Sequence, residues 1–539
     1  MPDGSNAGRS AVGRACIELF AIALLFAAAG AWPAPDTNEA HFLTKARYAA
    51  DPAWCRGDFF LESADAHRVF YMLFGPLAAA VPLDTAAWIG RGLGWLAVAV
   101  GFRHAIVPLV TTTWGRIAAA ALFSLALRFT TAAGEWVIGG CEAKVFAWAL
   151  VLAGVGEAVR GRFASACCTC GAAAALHPLV GGWALVAVTV AWARERWSRG
   201  AAGAVNGSGA AAAWLGAGAA LAACGVLPAL GMNAGVDAAT RAAANEIYVV
   251  ERLSHHLLPR AFAAPLVARH LLAIVAWWLL FRLLPPAATR RRLATLVGAA
   301  VVISAGGWLV SLAEPLAPAL AHAILRFYWF RLADVLVPLA LATTAAAVLE
   351  DGTVCRAAVP VPPALTRWVA AALICLDVAA ESPHWPWPGG AAVAARADVK
   401  VDPAAWADVC AWVRDHAPAE ACFLTPRGAA SFTWRTGRRE VVSWKNVPQD
   451  ARSVVEWRRR FADCFSLDAG LGDVVSSPAA LGVDRLREVA ARYGADHAIV
   501  PLETCGLETL PFQRLHENAG YVVLRLDPLT AGGRPAGPP

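Results

Sequence analysis

The residues best suited to chemistry lie in a polar stretch, residues 33–67, that directly follows the first apolar segment. This stretch holds six carboxylic acids and two histidines: Asp36, Glu39, His41, Asp51, Asp58, Glu62, Asp65 and His67. A carboxylate at the rim of a membrane bundle is partly desolvated, which raises its basicity and suits a general base or a ligand for a divalent cation. We therefore take Asp36 and Glu39 as candidate catalytic residues, and His41 and Asp58 as candidate substrate-binding residues. The alternative is a solvated loop with ordinary acidic side chains.

A second candidate loop, residues 134–144, carries Glu135, Glu142 and Lys144. The adjacent glycines at positions 139 and 140 allow a tight turn and a close approach of the backbone to another segment. We predict that the three charged side chains bind substrate on the same side of the membrane as the first loop. The alternative is a turn between two helices that contains a local charge pair.

Two arginines, Arg326 and Arg331, flank the aromatic run Phe-Tyr-Trp-Phe just before an apolar segment. Guanidinium groups at a membrane interface bind lipid phosphates through paired hydrogen bonds, so these residues are candidate phosphate ligands. Arginines that only anchor a helix by snorkelling to the interface are the alternative. His177, which interrupts an apolar stretch, is either a functional group in the membrane or a hydrogen-bond partner of a neighbouring helix.

The composition indicates whether these residues belong to a soluble protein or to a membrane protein. The chain of 539 residues is 58% hydrophobic and 16% charged, against about 25% charged residues in ordinary soluble domains. So much apolar surface requires lipid around it, and this predicts a membrane protein. The net charge of +6 is small, and the arginines flank apolar segments. That pattern is typical of membrane topology and argues against a nucleic-acid partner.

Recurring apolar segments predict an all-α polytopic bundle over residues 1–380, with about 11 to 13 transmembrane helices. Placing the arginine clusters on the cytoplasmic side of the membrane puts the N-terminus in the cytoplasm. Four segments then share the extracytoplasmic side: 33–67, 132–142, 231–262 and everything after about residue 385. The acidic loops and the C-terminal domain are thus predicted to lie on one face of the membrane.

After a linker rich in proline, glycine and tryptophan, residues 381–400, the sequence changes to the periodicities of soluble proteins. Asp402 and Pro403 predict the start of a helix, and further helices are predicted over 451–465 and before Gly494. Strands are predicted at 421–424, 441–444, 496–501 and 521–526. We predict a small soluble α/β domain over 401–528, on the extracytoplasmic side, and a disordered tail over 529–539.

Four segments resemble an uncharacterised family of bacterial multi-pass membrane proteins: Thr37-Asn-Glu-Ala-His-Phe-Leu, Gly57-Asp-Phe-Phe-Leu-Glu-Ser, Arg326-Phe-Tyr-Trp-Phe-Arg and Phe423-Leu-Thr-Pro-Arg. More remotely, the architecture is similar to that of the GT-C superfamily of membrane glycosyltransferases. Members of that superfamily have a similar number of spans and an acidic first outward loop that carries the catalytic carboxylate. They use lipid-phosphate-linked sugars, and many end in an outward soluble domain.

This resemblance implies a membrane-embedded transferase that uses a polyprenyl-phosphate-linked sugar donor. Asp36 or Glu39 would match the acidic position after the first span, and Glu135 or Glu142 would match a second acidic loop. Arg326 and Arg331 would hold the donor phosphate, and a divalent cation is one option for a cofactor. The chain departs from the family pattern because its first loop has no adjacent Asp-Asp or Asp-Glu pair and no D-x-D motif.

A non-enzymatic transporter or a lipid-binding membrane protein is the rival class. Transporters often contain internal repeats and charged residues near the middle of the membrane. This sequence shows no repeat between its halves, and its charged residues cluster in loops. A cavity at one face, lined by the acidic loops, would favour transfer, whereas a pseudo-symmetric central site would favour transport.

Overall fold

The computed structural model describes residues 4–199, 208–351, 363–389, 393–468 and 470–526. Up to residue 381 the described chain is helical, and a β-sheet follows after residue 421. The predicted tail over 529–539 lies outside the described residues.

The membrane part alternates long apolar helices with short polar ones. In chain order its helices are α1 (Gly4–Gly30), α2 (Glu39–Ala50), α3 (Phe59–Glu62), α4 (Arg68–Ala80), α5 (Leu83–Ile106), α6 (Thr113–Phe129), α7 (Ala143–Val159), α8 (Phe163–Leu176), α9 (Pro178–Arg199), α10 (Ser208–Gly231), α11 (Ala238–Glu246), α12 (Ser254–Leu257), α13 (Ala264–Leu283), α14 (Ala288–Leu312), α15 (Pro318–Leu325), α16 (Arg331–Asp351) and α17 (Pro363–Glu381). A π-helical turn, Ile247–Arg252, joins α11 to α12.

Within the described ranges, six helices are long and apolar enough to cross a bilayer: α1, α5, α10, α13, α14 and α16. Other helices of the bundle are shorter than the ~20 residues of a straight span or carry more charge. The break between α8 and α9 falls at His177, as the sequence predicts. The chain is therefore an integral membrane protein with an all-α polytopic bundle, while the count of about 11 to 13 spans stays a prediction.

Small residues let these helices pack closely, as is typical of membrane bundles. A Cβ atom on Gly101 of α5 would lie 2.2 Å from the carbonyl oxygen of Ala149 in α7. A Cβ atom on Gly171 of α8 would lie 2.2 Å from the carbonyl oxygen of Gly218 in α10. Since no side chain fits these gaps, the glycines set the distance between the helices and the spacing of the loops that the helices carry.

Among its described residues, the C-terminal domain contains four α-helices and five strands. They are α18 (Pro403–His416), β1 (Cys422–Leu424), α19 (Phe432–Thr436), β2 (Arg439–Glu440), α20 (Ala451–Phe465), α21 (Val483–Tyr493), β3 (His497–Pro501), β4 (Gln513–Glu517) and β5 (Tyr521–Arg525). The strand order is β2-β1-β3-β5-β4. β1 is parallel to β2 and β3, whereas β5 is antiparallel to β3 and β4.

Helices cover both faces of this sheet. On one face α18 packs through Trp406 and Val409 against Val523. On the other face Trp457 of α20 and Leu486 of α21 belong to the cluster that includes the inner residues of β1, β3 and β5. This arrangement confirms the predicted small α/β domain after the bundle.

Most of the predicted elements of this domain are confirmed, and one strand is wrong. Asp402 caps α18 by accepting from the backbone N–H of Ala405, and Gly494 ends α21 in the left-handed conformation, with φ of 67°. The strand predicted at 441–444 is instead the two residues of β2 at 439–440. The chain leaves the sheet there because residues 441–450 turn towards the membrane part, where the carbonyl of Trp444 accepts from Arg252.

The four polar segments that the sequence assigns to one face contact one another. Hydrogen bonds join the first loop to the second, the first loop to the C-terminal domain, and the 231–262 segment to that domain: Cys141 to Glu39, Glu440 to Asp58 and Ala451 to Asn233. Residues from all these segments surround one cavity.

Candidate functional site

The cavity lies where the C-terminal domain meets the polar end of the bundle. Its volume is about 340 Å³, near the lower end of the roughly 300–1,000 Å³ of small-molecule sites. Its wall is formed by both candidate loops, His177 and the start of α9, the π-helical turn, the start of α16 and residues 445–449. It therefore sits at one face of the protein, not at a central position between two symmetric halves.

Among the charged side chains of this wall, basic ones outnumber acidic ones. Five basic residues and one acidic residue line the cavity: Lys144, Arg252, Arg326, Arg331 and Lys445, with Glu135 as the acid. In a partly desolvated site such an excess of positive charge attracts an anion strongly, because little water screens it. Arginine is also suited to phosphate, since its planar guanidinium donates two parallel hydrogen bonds.

Glu135 is held between two of these cations. Its Oε2 atom lies 2.5 Å from Nε of Arg331, and its Oε1 atom lies 3.3 Å from Nζ of Lys144. Arg331 also approaches Nε2 of His177 at 3.2 Å and covers the ring of Tyr328 at 3.9 Å. Glu135 thus orients two cations, and the cavity keeps an excess of positive charge.

The loop that carries Glu135 is fixed by Asp334, a fully buried residue in the first turn of α16. The Asp334 carboxylate accepts hydrogen bonds from the backbone N–H groups of Ala132, Ala133 and Glu135 at 2.7, 2.9 and 3.3 Å. Because Asp334 lies three residues after Arg331, one helical turn positions both the arginine and the loop that it contacts.

Arg326 and its surroundings form another part of the wall. Nη1 of Arg326 donates to Oδ1 of Asn245 at 2.6 Å, which leaves its charge without an acidic partner among the described residues. The hydroxyl groups of Tyr248 and Tyr328 lie 3.2 Å apart. Tyr328 has φ of 55°, a left-handed conformation that non-glycine residues rarely adopt and that occurs preferentially at functional sites. Both predicted phosphate ligands, Arg326 and Arg331, therefore face this cavity.

Glu39 does not face the cavity. Nε and Nη2 of Arg91 donate to its two oxygens at 2.9 and 2.6 Å, and both side chains are fully buried. The backbone N–H groups of Cys141 and Asp36 add hydrogen bonds of 2.7 and 2.9 Å. With its oxygens occupied in this way, Glu39 ties the first loop to α5 and to the second loop, and it is poorly placed to accept a proton.

Asp36 and Glu142 are buried carboxyl groups in the two loops behind the cavity wall, and we refer to them together as the carboxyl pair. The two loops touch here, because a Cβ atom on Gly140 would lie 2.8 Å from Cβ of Asp36. Asn38, which lines the cavity, donates to Oε2 of Glu142 at 3.3 Å. Burial raises the pKa of Glu142 to about 7, and the negative charge of Asp36 adds to this effect while Lys144 opposes it.

Each carboxyl group of this pair also has one oxygen atom that lacks a hydrogen bond within the described ranges. Oε1 of Glu142 and Oδ2 of Asp36 are buried without a hydrogen-bond donor among the described residues. The nearest cation to Asp36 in an ion pair is Arg396, at 3.6 Å. A buried carboxylate oxygen without a donor is costly, and it is free to accept a proton or a substrate hydroxyl.

The remaining candidates of the first loop have different positions. His41 lines the cavity, and burial lowers its pKa to about 4, so the imidazole is neutral at pH 7. Asp58 lies outside the cavity wall, at the contact with the C-terminal domain, where it accepts from the backbone N–H of Leu61 at 2.9 Å and of Glu440 at 3.1 Å. Its surroundings make Asp58 a link between the two parts of the chain.

Lys445 is a cavity residue that sequence reasoning did not single out for this site. Burial, together with a smaller effect of the Arg252 charge, lowers the pKa of Lys445 to about 8. Its side chain has no hydrogen-bond or ion-pair partner in the part of the chain that the structure describes. Residues 441–444, just before Lys445, were predicted as a strand, and Lys445 reaches the membrane part only because the chain leaves the sheet after residue 440.

A cation site in this region was one interpretation of the acidic loops. Across the described ranges, no group of three or more His, Cys, Asp or Glu side chains is arranged to hold a metal ion. Glu39 is occupied by Arg91, which removes one of the two carboxylates on which that interpretation relied.

In comparisons with known proteins, a family model matches one segment of the chain, and solved structures match it as well. The model of a domain of unknown function (DUF6798) matches residues 404–464, which run from α18 to α20. No curated protein matches the chain. The crystal structure of ArnT from Cupriavidus metallidurans bound to undecaprenyl phosphate matches at 14% sequence identity, covering 96% of this chain and 98% of that chain, with a TM-score of 0.30.

A TM-score this low establishes no shared detail, and the roles of individual residues depend on the contacts described above. The chain is an integral, multi-pass membrane protein whose helical bundle is followed by a small α/β domain.

Proposed function

We propose that the protein is a membrane-embedded glycosyltransferase that binds a polyprenyl-phosphate-linked sugar in the cavity beneath its C-terminal domain. The observation that carries this proposal is the wall of five basic residues and one acid at the polar end of a membrane bundle. When the sugar leaves, the donor lipid retains its negative phosphate, and preorganised cations stabilise that charge as it develops. Arg326 and Arg331 are the groups assigned to this role.

The cavity borders the lipid-facing surface, which suits a lipid-linked donor. Leu230 of α10 and Phe327 line the cavity, and they are 68% and 45% exposed. α10 is a candidate span, and only 11% of its apolar 18-residue stretch is buried inside the protein. A head group can therefore reach the cations while its prenyl tail stays among the lipid chains.

We assign the role of general base to the Asp36–Glu142 pair and a positioning role to Glu39. A pKa near 7 gives Glu142 comparable populations of base and acid near neutral pH, which is what proton transfer requires. Asn38 links this pair to the cavity wall. We further propose that this face is the extracytoplasmic face of a bacterial inner membrane, with the N-terminus in the cytoplasm.

Purified protein in lipid nanodiscs, supplied with radiolabelled polyprenyl-phosphate sugars and a panel of hydroxyl acceptors, tests the proposal. Transfer should fall by about 100-fold or more in Asp36→Asn or Glu142→Gln, as for the loss of a general base. Asp51→Asn removes an exposed carboxylate of the same loop and should keep wild-type transfer. Full transfer in both Asp36→Asn and Glu142→Gln would reject the assignment.

The rival class, a lipid-binding protein without chemistry, shares the same cavity and is separated by the same experiment. Binding of polyprenyl phosphate without transfer to any acceptor would favour it, provided that Arg331→Gln abolishes the binding. Transport is less well supported, because the cavity lies at one end of the bundle and not at a central pseudo-symmetric site.

A further inference from the structure

A second cavity lies on the same side of the protein, between the first loop, the start of α5 and the C-terminal domain. Its volume is about 760 Å³. Five arginines and two acidic residues line it, and we name it the arginine cavity after the five: Arg47, Arg56, Arg414, Arg435 and Arg438. None of them lines the first cavity. Nothing in the proposed transfer reaction uses this group of residues.

Three of the five arginines belong to the C-terminal domain; a carboxylate neutralises two of them, and the third keeps its positive charge. Arg435 is neutralised by Asp398 at 2.8 Å, and Arg414 pairs with the exposed Asp415 at 2.9 Å. Arg438 donates only to backbone carbonyl oxygens, among them that of Ala417 at 2.8 Å. Carbonyl oxygens satisfy the hydrogen bonds of a guanidinium but leave its charge uncompensated.

The other two arginines, Arg47 and Arg56, have no hydrogen-bond or ion-pair partner in the part of the chain that the structure describes. The Arg47 guanidinium lies over the ring of Trp54 at 4.7 Å, which holds the side chain in place. Its Nε atom is buried and has no acceptor among the described residues. A buried donor without an acceptor is costly, and an anion in the cavity would supply the acceptor.

The remaining wall suits a ligand that is partly apolar. Trp54, Pro82 and Leu83 border the cavity, and the last of these begins the candidate span α5. Nε1 of Trp434 donates to Oδ1 of Asp84 at 3.3 Å, which ties the C-terminal domain to the membrane boundary here. The cavity therefore lies at the level where lipid head groups are found.

Backbone strain gives an independent indication. Among the described residues, two non-glycine residues have a left-handed φ, Cys55 at 52° and Tyr328 at 55°. Tyr328 lines the first cavity, and Cys55 lines the arginine cavity. Strained backbone of this kind persists where the surrounding structure holds it, preferentially at binding and active sites.

We propose that the arginine cavity is a second binding site, which takes a phosphate group through Arg47, Arg56 and Arg438. Phosphate fits because arginine donates paired hydrogen bonds to it and because a monoester carries up to two negative charges. The phosphate belongs either to the head group of an anionic lipid or to a soluble phosphorylated molecule. This site does not depend on the transfer reaction, and it stands even if the first cavity has no activity.

Titration calorimetry of the full-length protein in zwitterionic detergent tests this site. The probes are dihexanoyl phosphatidic acid, inorganic phosphate and, as an uncharged comparison, dihexanoyl phosphatidylcholine. Phosphatidic acid should bind wild-type protein, and its binding at this site should weaken by about tenfold or more in Arg47→Gln. Arg56→Glu should weaken it as well. Because Arg56 is exposed, this change tests the site even if Arg47→Gln does not fold.

Matched variants separate the two cavities. Arg452→Gln removes an exposed arginine of the C-terminal domain outside both cavities and should bind as wild type does. Arg331→Gln should affect only binding at the first cavity. Tight binding of inorganic phosphate would identify a soluble ligand, and binding of phosphatidic acid alone would identify a lipid. Unchanged binding in both Arg47→Gln and Arg56→Glu, or equal binding of phosphatidylcholine, would overturn the proposal.

Discussion

Glu39 and Arg91 bind each other through two parallel hydrogen bonds in the interior of the protein, although 52 residues separate them in the chain. The pair connects the loop behind the first span to the middle of α5. Since Cys141 donates to the same carboxylate, one ion pair holds both acidic loops against the bundle.

Replacing Arg91 by methionine should destabilise the protein strongly. The change leaves the Glu39 carboxylate buried without a countercharge, which costs about 3–5 kcal/mol. Thermal unfolding in detergent should therefore show a large fall in the melting temperature. The double variant Glu39→Gln/Arg91→Met should recover much of the loss, because no charge is then left buried. A wild-type melting temperature in Arg91→Met alone would contradict the structural role of the pair.

Binding of an anion in the first cavity should weaken as the pH rises through about 8, because burial lowers the pKa of Lys445 to about 8. Below that pH the protonated amine attracts the anion, and above it the attraction is lost. Titrations of polyprenyl phosphate between about pH 7 and 9.5 should show this decline. Lys445→Arg should keep the affinity constant over that range, and Lys445→Met should be weak throughout. The same decline in both variants would exclude Lys445 as its source.

The contact between the first loop and β2 should weaken with rising pH. Burial, together with a smaller effect of the Asp58 charge, raises the pKa of Glu440 from 4.5 to about 8. A carboxyl group whose pKa is higher in the folded state contributes its full stability below the unfolded value and loses it as the pH rises to the folded value. The wild-type melting temperature should therefore fall between about pH 5 and 9.

Glu440→Gln is the control for that titration, because the amide keeps the shape of the protonated acid and cannot ionise. Its melting temperature should equal that of the wild type near pH 3.5 and exceed it near pH 9, because both values lie about one unit outside the interval from 4.5 to about 8. Parallel pH profiles of the two proteins would show that another group causes the change.

Asp334→Ala should loosen the loop that carries Glu135. The change leaves three buried backbone N–H groups without their acceptor, at about 1–3 kcal/mol for each group that finds no new partner. We expect a lower melting temperature and weaker binding of polyprenyl phosphate, because Glu135 no longer orients Arg331. Asp351→Ala, at the other end of α16, should change neither quantity. Wild-type binding by a folded Asp334→Ala protein would show that the loop needs no such anchor.

Periodicity and composition were sufficient to predict the helical bundle, the membrane environment and most of the C-terminal helices. Those features depend on local patterns, such as the apolar stripe of α20 or the cap at Asp402. The edge strand β4 was not predicted because its residues alternate weakly and are largely exposed. A strand without a buried face does not need alternating apolar residues, so its sequence carries no strong strand pattern.

Only part of the candidate site was predicted, because local patterns do not show which distant residues come into contact. Charge and position identified the loops that carry Asp36, Glu135 and Glu142. Whether a carboxylate is already paired with a cation, however, depends on a residue far away in the chain. Nothing near Glu39 in the sequence points to Arg91, and nothing near Lys445 points to the membrane part. Such pairings form only when the chain folds, so they are visible in contacts and not in spacing.

The exposed position of Leu230 beside the first cavity bears on selectivity for the donor. A chamber of about 340 Å³ accommodates a phosphosugar but not a long isoprenoid. Under the proposed function the hydrocarbon would remain outside, dissolved among neighbouring acyl chains. Carriers with few or many isoprene units should then compete equally, and the enzyme would distinguish donors by their sugar alone.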